Sequence, residues 1–167
     1  MHSKTKKIII AALMAALTCI ATMIVKIPSP LKGYINLGDC IVLVSGWILS
    51  PLYAFFAAGF GSALADLLSG YVVYAPATFV IKGAMALIAF ATLRLMKRTK
   101  YKLVPQLIGS IIAEVFMVLG YFVFEGFLYG FVPSVVNIPA NCVQGVAGII
   151  IGVILIKAFE KAGVTTD

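Results

Sequence analysis

From Ile8 to Phe159 the chain is a succession of apolar runs, most about as long as a bilayer is thick, stopped by prolines, glycine-rich turns or basic clusters. About 20 apolar residues wound as an α-helix span the roughly 30 Å hydrocarbon core, and there the backbone must satisfy its own hydrogen bonds. Composition closes off the soluble alternative. Of 167 residues, 62% are hydrophobic and only 11% charged, against roughly 25% charged in an ordinary soluble domain. A soluble fold of this length buries only about two-thirds of its unfolded surface and could not hide so much apolar area. The expected class is an all-α integral membrane protein, a compact bundle of six transmembrane helices. No Pro/Ser/Gly-rich linker divides it, so residues 1–167 read as a single transmembrane domain.

The spacing predicts a first helix over Ile8–Val25, stopped by Lys26, Pro28 and Pro30. Basic residues followed by an apolar run also suit a signal peptide, but this run is longer than a signal core and no polar domain follows it, so it reads as a retained helix. A loop over Ile27–Leu37 comes next. The region Gly38–Leu68 is divided at Ser50-Pro51, a plausible N-cap and first helical position. It gives a short second helix, Gly38–Leu49, and a third, Pro51–Leu68. The fourth is expected over Ala75–Met96 and the fifth over Leu103–Phe124. A loop over Glu125–Ser134 precedes the sixth, Val135–Phe159.

Basic residues set the expected orientation. With six spans, Lys4, Lys6, Lys7, the central Arg94, Lys97, Arg98, Lys100 and Lys102, and Lys157 and Lys161 fall on one side, against Lys26 and Lys32 on the other. The positive-inside rule places the richer side, and both termini, in the cytoplasm of a plasma-membrane protein. The net charge of +7 is thereby explained by helix ends, and nucleic acid is not an expected partner. Cys19, Cys40 and Cys142 form no CxxC pair and the only histidine, His2, is on the tail, so the cysteines read as small buried residues and no metal site is expected.

Ionisable groups inside a bilayer are costly and should face a bundle interior or a wet cavity. Asp66 lies near the outer end of the third helix, Lys82 about two turns into the fourth, and Glu114, Tyr121 and Glu125 share a face of the fifth. Asn137, Asn141 and Gln144 follow i, i+4, i+7 on the sixth. All fall in the outer half, which points to a pocket open outward rather than a continuous channel. The bland alternative keeps Asp66 and Lys82 as a buried ion pair and Asn141 and Gln144 as interhelical glue. Tyr34, Tyr71, Tyr74 and Trp47 are pocket walls, core or interface aromatics. Ala11/Ala15 and Ala12/Ala16 are small-xxx-small pairs that let another helix approach closely.

With AALMAAL in the first helix, GYINLGD in the following loop, ALADLLSGYVVYAPATFVIKG and NIPANCVQGVAGIIIG, in that order and spacing, the chain resembles the substrate-binding S components of energy-coupling factor (ECF) vitamin transporters. It is most similar to the hydroxymethylpyrimidine/pyridoxine-type or riboflavin-type branch. The resemblance implies capture of a vitamin in an outward pocket capped by the loop after the first helix. It also implies docking through the alanine face (Ala11, Ala12, Ala15, Ala16) onto a transmembrane T component carrying two cytoplasmic ABC ATPases. Asn36, Asp39, Asp66, Tyr74, Lys82, Glu114, Tyr121, Asn137, Asn141 and Gln144 are the implied pocket candidates. The chain has no Walker A loop, so ATP is expected to be used only by partners and no cofactor by the chain itself.

Two other classes compete. A membrane-embedded enzyme would need a nucleophile and base or a metal, yet there is no HExxH, no GxSxG and no histidine in a span. An ion-coupled secondary transporter could relay protons through Asp66, Lys82 and Glu114, but no paired broken helices mark an inverted repeat. Pyridoxine or hydroxymethylpyrimidine is the preferred ligand; riboflavin, thiamine, pantothenate and folate remain open.

Overall fold

The computed structural model describes residues 3–31 and 33–163; His2 and Lys32, which entered the charge count and the metal argument above, lie outside the described residues. Helix α1 (Ser3–Ile24) begins earlier than the apolar run. Lys4, Lys6 and Lys7 are good helix formers whose stems can lie along apolar surface while the ammonium groups stay in water, so the basic tail is wound into the helix. Its end is followed by a small antiparallel hairpin, β1 (Ile27–Pro28) and β2 (Tyr34–Ile35), with Ile27 opposite Ile35 and Pro28 opposite Tyr34. The turn is held by Ser29 N donating to Gly33 O at 2.9 Å and Ser29 Oγ to Leu31 O at 2.7 Å.

Helix α2 (Gly38–Ile48) is buried along its whole length. At about 1.5 Å per residue it rises only roughly 16 Å, half a bilayer core. It is the second of the six helices expected from the sequence, yet it differs in kind from the others. Five helices are long and apolar enough to cross a membrane: α1, α3 (Pro51–Leu68), α4 (Ala75–Leu95), α5 (Leu103–Tyr129) and the last, which with its lead-in covers 131–161.

The fifth helix runs on through the segment expected to be a loop. Helix α5 continues to Tyr129, and Gly130, at φ +94°, turns the chain. A four-residue helix α6 (Phe131–Ser134) and a single 3-10 turn (Val135–Asn137) lead into α7 (Ile138–Lys161). The consequence is that Glu125 and Asn137 are fixed by helical backbone rather than carried on a loop.

Helix α3 packs between α1 and α4, α4 between α3 and α5, and α2 against α4, α7 and α1. Met14, Leu43, Met85 and Met117 are fully buried at the centre, while large side chains such as Phe60, Ile111, Leu119 and Ile154 point outward, as a lipid-facing surface requires. Small residues set the helix spacing: a side chain on Gly61 would collide with the Ala15 carbonyl of α1, and one on Gly46 with the Ala86 carbonyl of α4. Cys19 and Cys40 are buried as expected, but Cys142 is exposed on the outer face of α7, where lipid rather than protein covers an apolar side chain. Among the described residues no cluster of His, Cys, Asp and Glu could hold a metal ion.

Chain ends sort cleanly. Lys7, the α2–α3 corner at Ser50, Arg94, Lys102 and Glu160 border one groove, so both ends of the described chain and the central basic segment lie at the same end of the bundle. The hairpin lies at the opposite end, with Tyr71, Tyr74 and Tyr129 around it.

Candidate functional site

Asp39, in the first turn of α2, is fully buried and is the hub of the polar interior. Its Oδ1 is paired with Lys82 Nζ from α4, and its Oδ2 accepts from Gln144 Nε2 of α7 at 2.7 Å. Gln144 Oε1 in turn accepts from the Asn36 backbone N–H at 2.8 Å, and Asn36 Oδ1 accepts from Gly38 N at 2.9 Å. Three helices and the hairpin's exit are therefore tied at one charge-neutral knot whose polar groups satisfy one another. The Lys82 ammonium also lies 5.4 Å from the centroid of the Tyr121 ring. The buried ion pair considered for Asp66 and Lys82 is not formed; Lys82 bonds to Asp39 instead, because α2 lies wholly inside the bundle beside α4.

Two further carboxylates stand above this knot. Asp66 Oδ1 accepts from the Tyr34 hydroxyl at 2.6 Å, whereas its buried Oδ2 makes no hydrogen bond. Thr78 Oγ1 and Tyr121 OH, beside it, lie 3.1 Å apart and bond to each other. Glu125 Oε1 accepts from Asn137 Nδ2 at 2.9 Å and from Tyr74 OH at 3.3 Å, and its Oε2 is likewise buried and without a donor. Burial, then the neighbouring Asp66 carboxylate, push the Tyr34 phenol above the ordinary tyrosine range, which keeps it a donor.

These groups line a small polar cavity of about 30 Å³, bordered among others by Tyr34, Ser62, Asp66, Thr78, Lys82 and Glu125. That is room for about two water molecules. Outside the hairpin lies an open cleft of about 510 Å³ bordered by Pro28, Leu31, Tyr71, Val73 and Tyr129, and it shares Ser29, Gly33 and Tyr74 with the inner cavity. The outer cleft alone is of the size that holds small ligands, roughly 300–1,000 Å³. The hairpin is the partition between the two. It is held down by Tyr34 on Asp66, by the Leu31 N–H on Asn137 Oδ1 at 3.1 Å, and by Asn36 on Gln144. Tyr34 and Tyr71 stack obliquely at 4.6 Å between centroids, and Tyr71–Tyr74 and Tyr74–Phe124 continue the aromatic wall at 6.2 and 5.4 Å.

Of the residues singled out in the sequence, Asn36, Asp66, Tyr74, Lys82, Tyr121, Asn141 and Gln144 line the cavity. Asp39 lies behind it, holding Lys82 and Gln144, and Asn137 holds Glu125 and the hairpin. Glu114 does not line the cavity but stands close beside Asp39, both flanking Gly148. It is wedged against Gly145 and Gly148, with both oxygens buried and without a hydrogen bond, beside an apolar cleft between α5 and α7. Trp47 is remote, lining the groove at the other end. Thr22, Ser62 and Thr78 of the helices and Ser29 of the hairpin turn also line the cavity, and single hydroxyls carry no pattern in the sequence; Glu125 and Tyr34 are visible there as polar groups but not as partners of Asn137 and Asp66.

A polar cavity sunk into one end of a membrane-spanning helical bundle, with a hairpin over it, is the architecture of a membrane-embedded binding protein. Residues 2–161 match the family described as ECF-type riboflavin transporter, S component, and the chain belongs to that family: it is a substrate-binding transporter subunit, not an enzyme. An uncharacterized protein of Pyrococcus woesei is 39% identical over 80% of this chain and 87% of its own length. The thiamine precursor transporter HmpT of Lactococcus lactis is 25% identical over 98% of this chain and 93% of its own. The fold is that of solved S components. One from a bacterial ECF transporter has a TM-score of 0.76 at 22% identity, covering 95% of this chain and 98% of that one. The S component for biotin has 0.61 at 20%, covering 96% and 95%.

Proposed function

We propose that this chain is the high-affinity capture subunit for a small, water-soluble vitamin that is neutral or cationic and rich in hydrogen-bond donors, best matched by hydroxymethylpyrimidine or pyridoxine. The observation that carries this reading is the pair of buried carboxylate oxygens, Asp66 Oδ2 and Glu125 Oε2, on side chains that line the cavity and lack a donor. The Lys82 charge is already taken by Asp39, so the remaining carboxylates favour a ligand that brings donors or positive charge and disfavour anions. The aromatic wall of Tyr34, Tyr71 and Tyr74 suits one flat heterocycle. The likeness to a thiamine precursor transporter over almost the whole chain supports the same choice. Riboflavin, thiamine, pantothenate and folate are the alternatives, the two acids being the least suited.

In this proposal the vitamin enters through the outer cleft, lifts the hairpin from Asp66 and Asn137, and joins the two spaces into one site. The chain sits in the plasma membrane with its basic end and both termini in the cytoplasm, and it passes the vitamin to a T component driven by two cytoplasmic ATPases. Isothermal titration of the purified chain against hydroxymethylpyrimidine, pyridoxine, thiamine, riboflavin, pantothenate and biotin tests it. Tight binding is expected for one of the first two, weakened roughly ten- to hundredfold by Asp66→Asn or Glu125→Gln, the range for a lost hydrogen bond to a charged group. Tight binding of an acid alone, unaffected by both substitutions, would overturn the ligand class.

A further inference from the structure

At the end of the bundle opposite the cavity, an open groove of about 480 Å³ runs between the first turns of α1, the α2–α3 corner and the ends of α4, α5 and α7. Its inner wall is apolar, formed by Trp47, Ile48, Phe90, Leu93 and Ile156. Its rim is basic: Lys7, Arg94, Lys97 and Lys102 border it, against one carboxylate, Glu160. Glu160 lies 3.8 Å from Lys102, with both side chains well exposed, and among the described residues Lys7, Arg94 and Lys97 have no acidic partner. On the wall, the Trp47 indole is 8% exposed.

We propose that this groove is a binding site for the phosphate headgroup of an anionic membrane phospholipid. The phosphate sits among the basic rim residues, within reach of which one acyl chain follows the wall of Phe90, Leu93 and Ile156. The combination selects the ligand. A free phosphate would use the rim but not the wall, and a neutral lipid the wall but not the rim. The groove lies where α1 and α5 begin and α4 and α7 end, the level at which headgroups meet a bundle of this length, and basic pockets between helices bind anionic lipid headgroups. A phosphate held there would bridge elements far apart in the chain, Lys7 at its start and Arg94 to Lys102 at its middle, and so brace the end of the bundle.

The test uses the full-length chain, delipidated in detergent and then supplied with phosphatidylglycerol, with phosphatidylcholine of the same acyl chains, or with inorganic phosphate. Native mass spectrometry should show retained phosphatidylglycerol and a Tm several degrees above that in phosphatidylcholine. The exposed double variant Arg94→Ala/Lys97→Ala should fold but lose most of that difference. Equal stabilisation by the two lipids would overturn the proposal in favour of ordinary solvation by lipid. Full protection by millimolar phosphate alone would make it a free-anion site. An undiminished effect in the double variant would place the lipid elsewhere. Protection of the groove only on assembly with the ATPase-bearing module would assign it to a protein partner.

Discussion

Gln144, two turns into α7, donates from Nε2 to Asp39 Oδ2 at 2.7 Å, and the residues are 105 apart in the chain. With Lys82 on the other oxygen, this bond makes the floor of the cavity a joint between three helices rather than a row of independent ligand donors.

Breaking that joint from one side should cost stability before it costs affinity. Lys82→Ala leaves Asp39 as an uncompensated buried charge, which costs about 3–5 kcal/mol. Its Tm should fall by roughly 10 °C. The double variant Asp39→Asn/Lys82→Met should recover most of the loss in a thermal melt. If the single and double variants melt alike, the pair does not bear on stability.

Asn137 is the clasp between the hairpin and Glu125. Asn137→Ala removes both bonds, one neutral and one to a carboxylate, together about 2–4.5 kcal/mol. Hydrogen exchange by mass spectrometry should speed up over residues 27–37 while the cores of α3 and α4 keep their protection. Uniform acceleration over the whole chain would show a global rather than a local loss.

Glu114 accepts no hydrogen bond, so Glu114→Gln should leave Tm unchanged or raise it, since the amide fills the same space between α5, Gly145 and Gly148 without a charge to bury. Vitamin affinity should change less than threefold. A tenfold loss in titration would bring Glu114 back into the site.

The two alanine pairs of α1 are not equivalent. Ala11 and Ala15 pack on the core, with the Ala15 carbonyl against Gly61, while Ala12 and Ala16 face outward beside Leu13 and Ile20. Ala16→Trp should therefore fold, bind vitamin and fail to assemble with the T component and its ATPases, whereas Ala15→Trp should lower Tm as well. Co-purification with the partner subunits, run beside a thermal melt, separates the two. Assembly of Ala16→Trp at wild-type yield would free this face of a docking role.

Orientation is open to direct labelling. In a background lacking Cys19, Cys40 and Cys142, Lys100→Cys should be reached by an impermeant maleimide only from the cytoplasmic side, and Val72→Cys, exposed near the hairpin end, only from outside. Labelling of both from outside intact cells would exclude the six-element path.

How much was legible in the chain depends on the range of the interaction involved. Apolar length, Pro51 at a helix start and the basic residues at helix ends act over a few residues, so the six apolar helices, the third of them to the residue, and the gathering of polar groups toward one end follow from sequence alone. The S-component resemblance rested on local motifs and held for the same reason. Pairings did not follow. Lys82 could meet Asp66 or Asp39 at similar depth, and only the burial of the short α2 against α4 selects Asp39. Nor could the helical phase of Glu114 reveal that Gly145 and Gly148 let α7 come close enough to cover it. Glu125 looked like loop because glycines and aromatics follow it, yet Gly126 packs on Phe131 and the helix continues to Tyr129. Sequence determined which groups must leave the lipid; the packing of small residues between helices decided which of them meet.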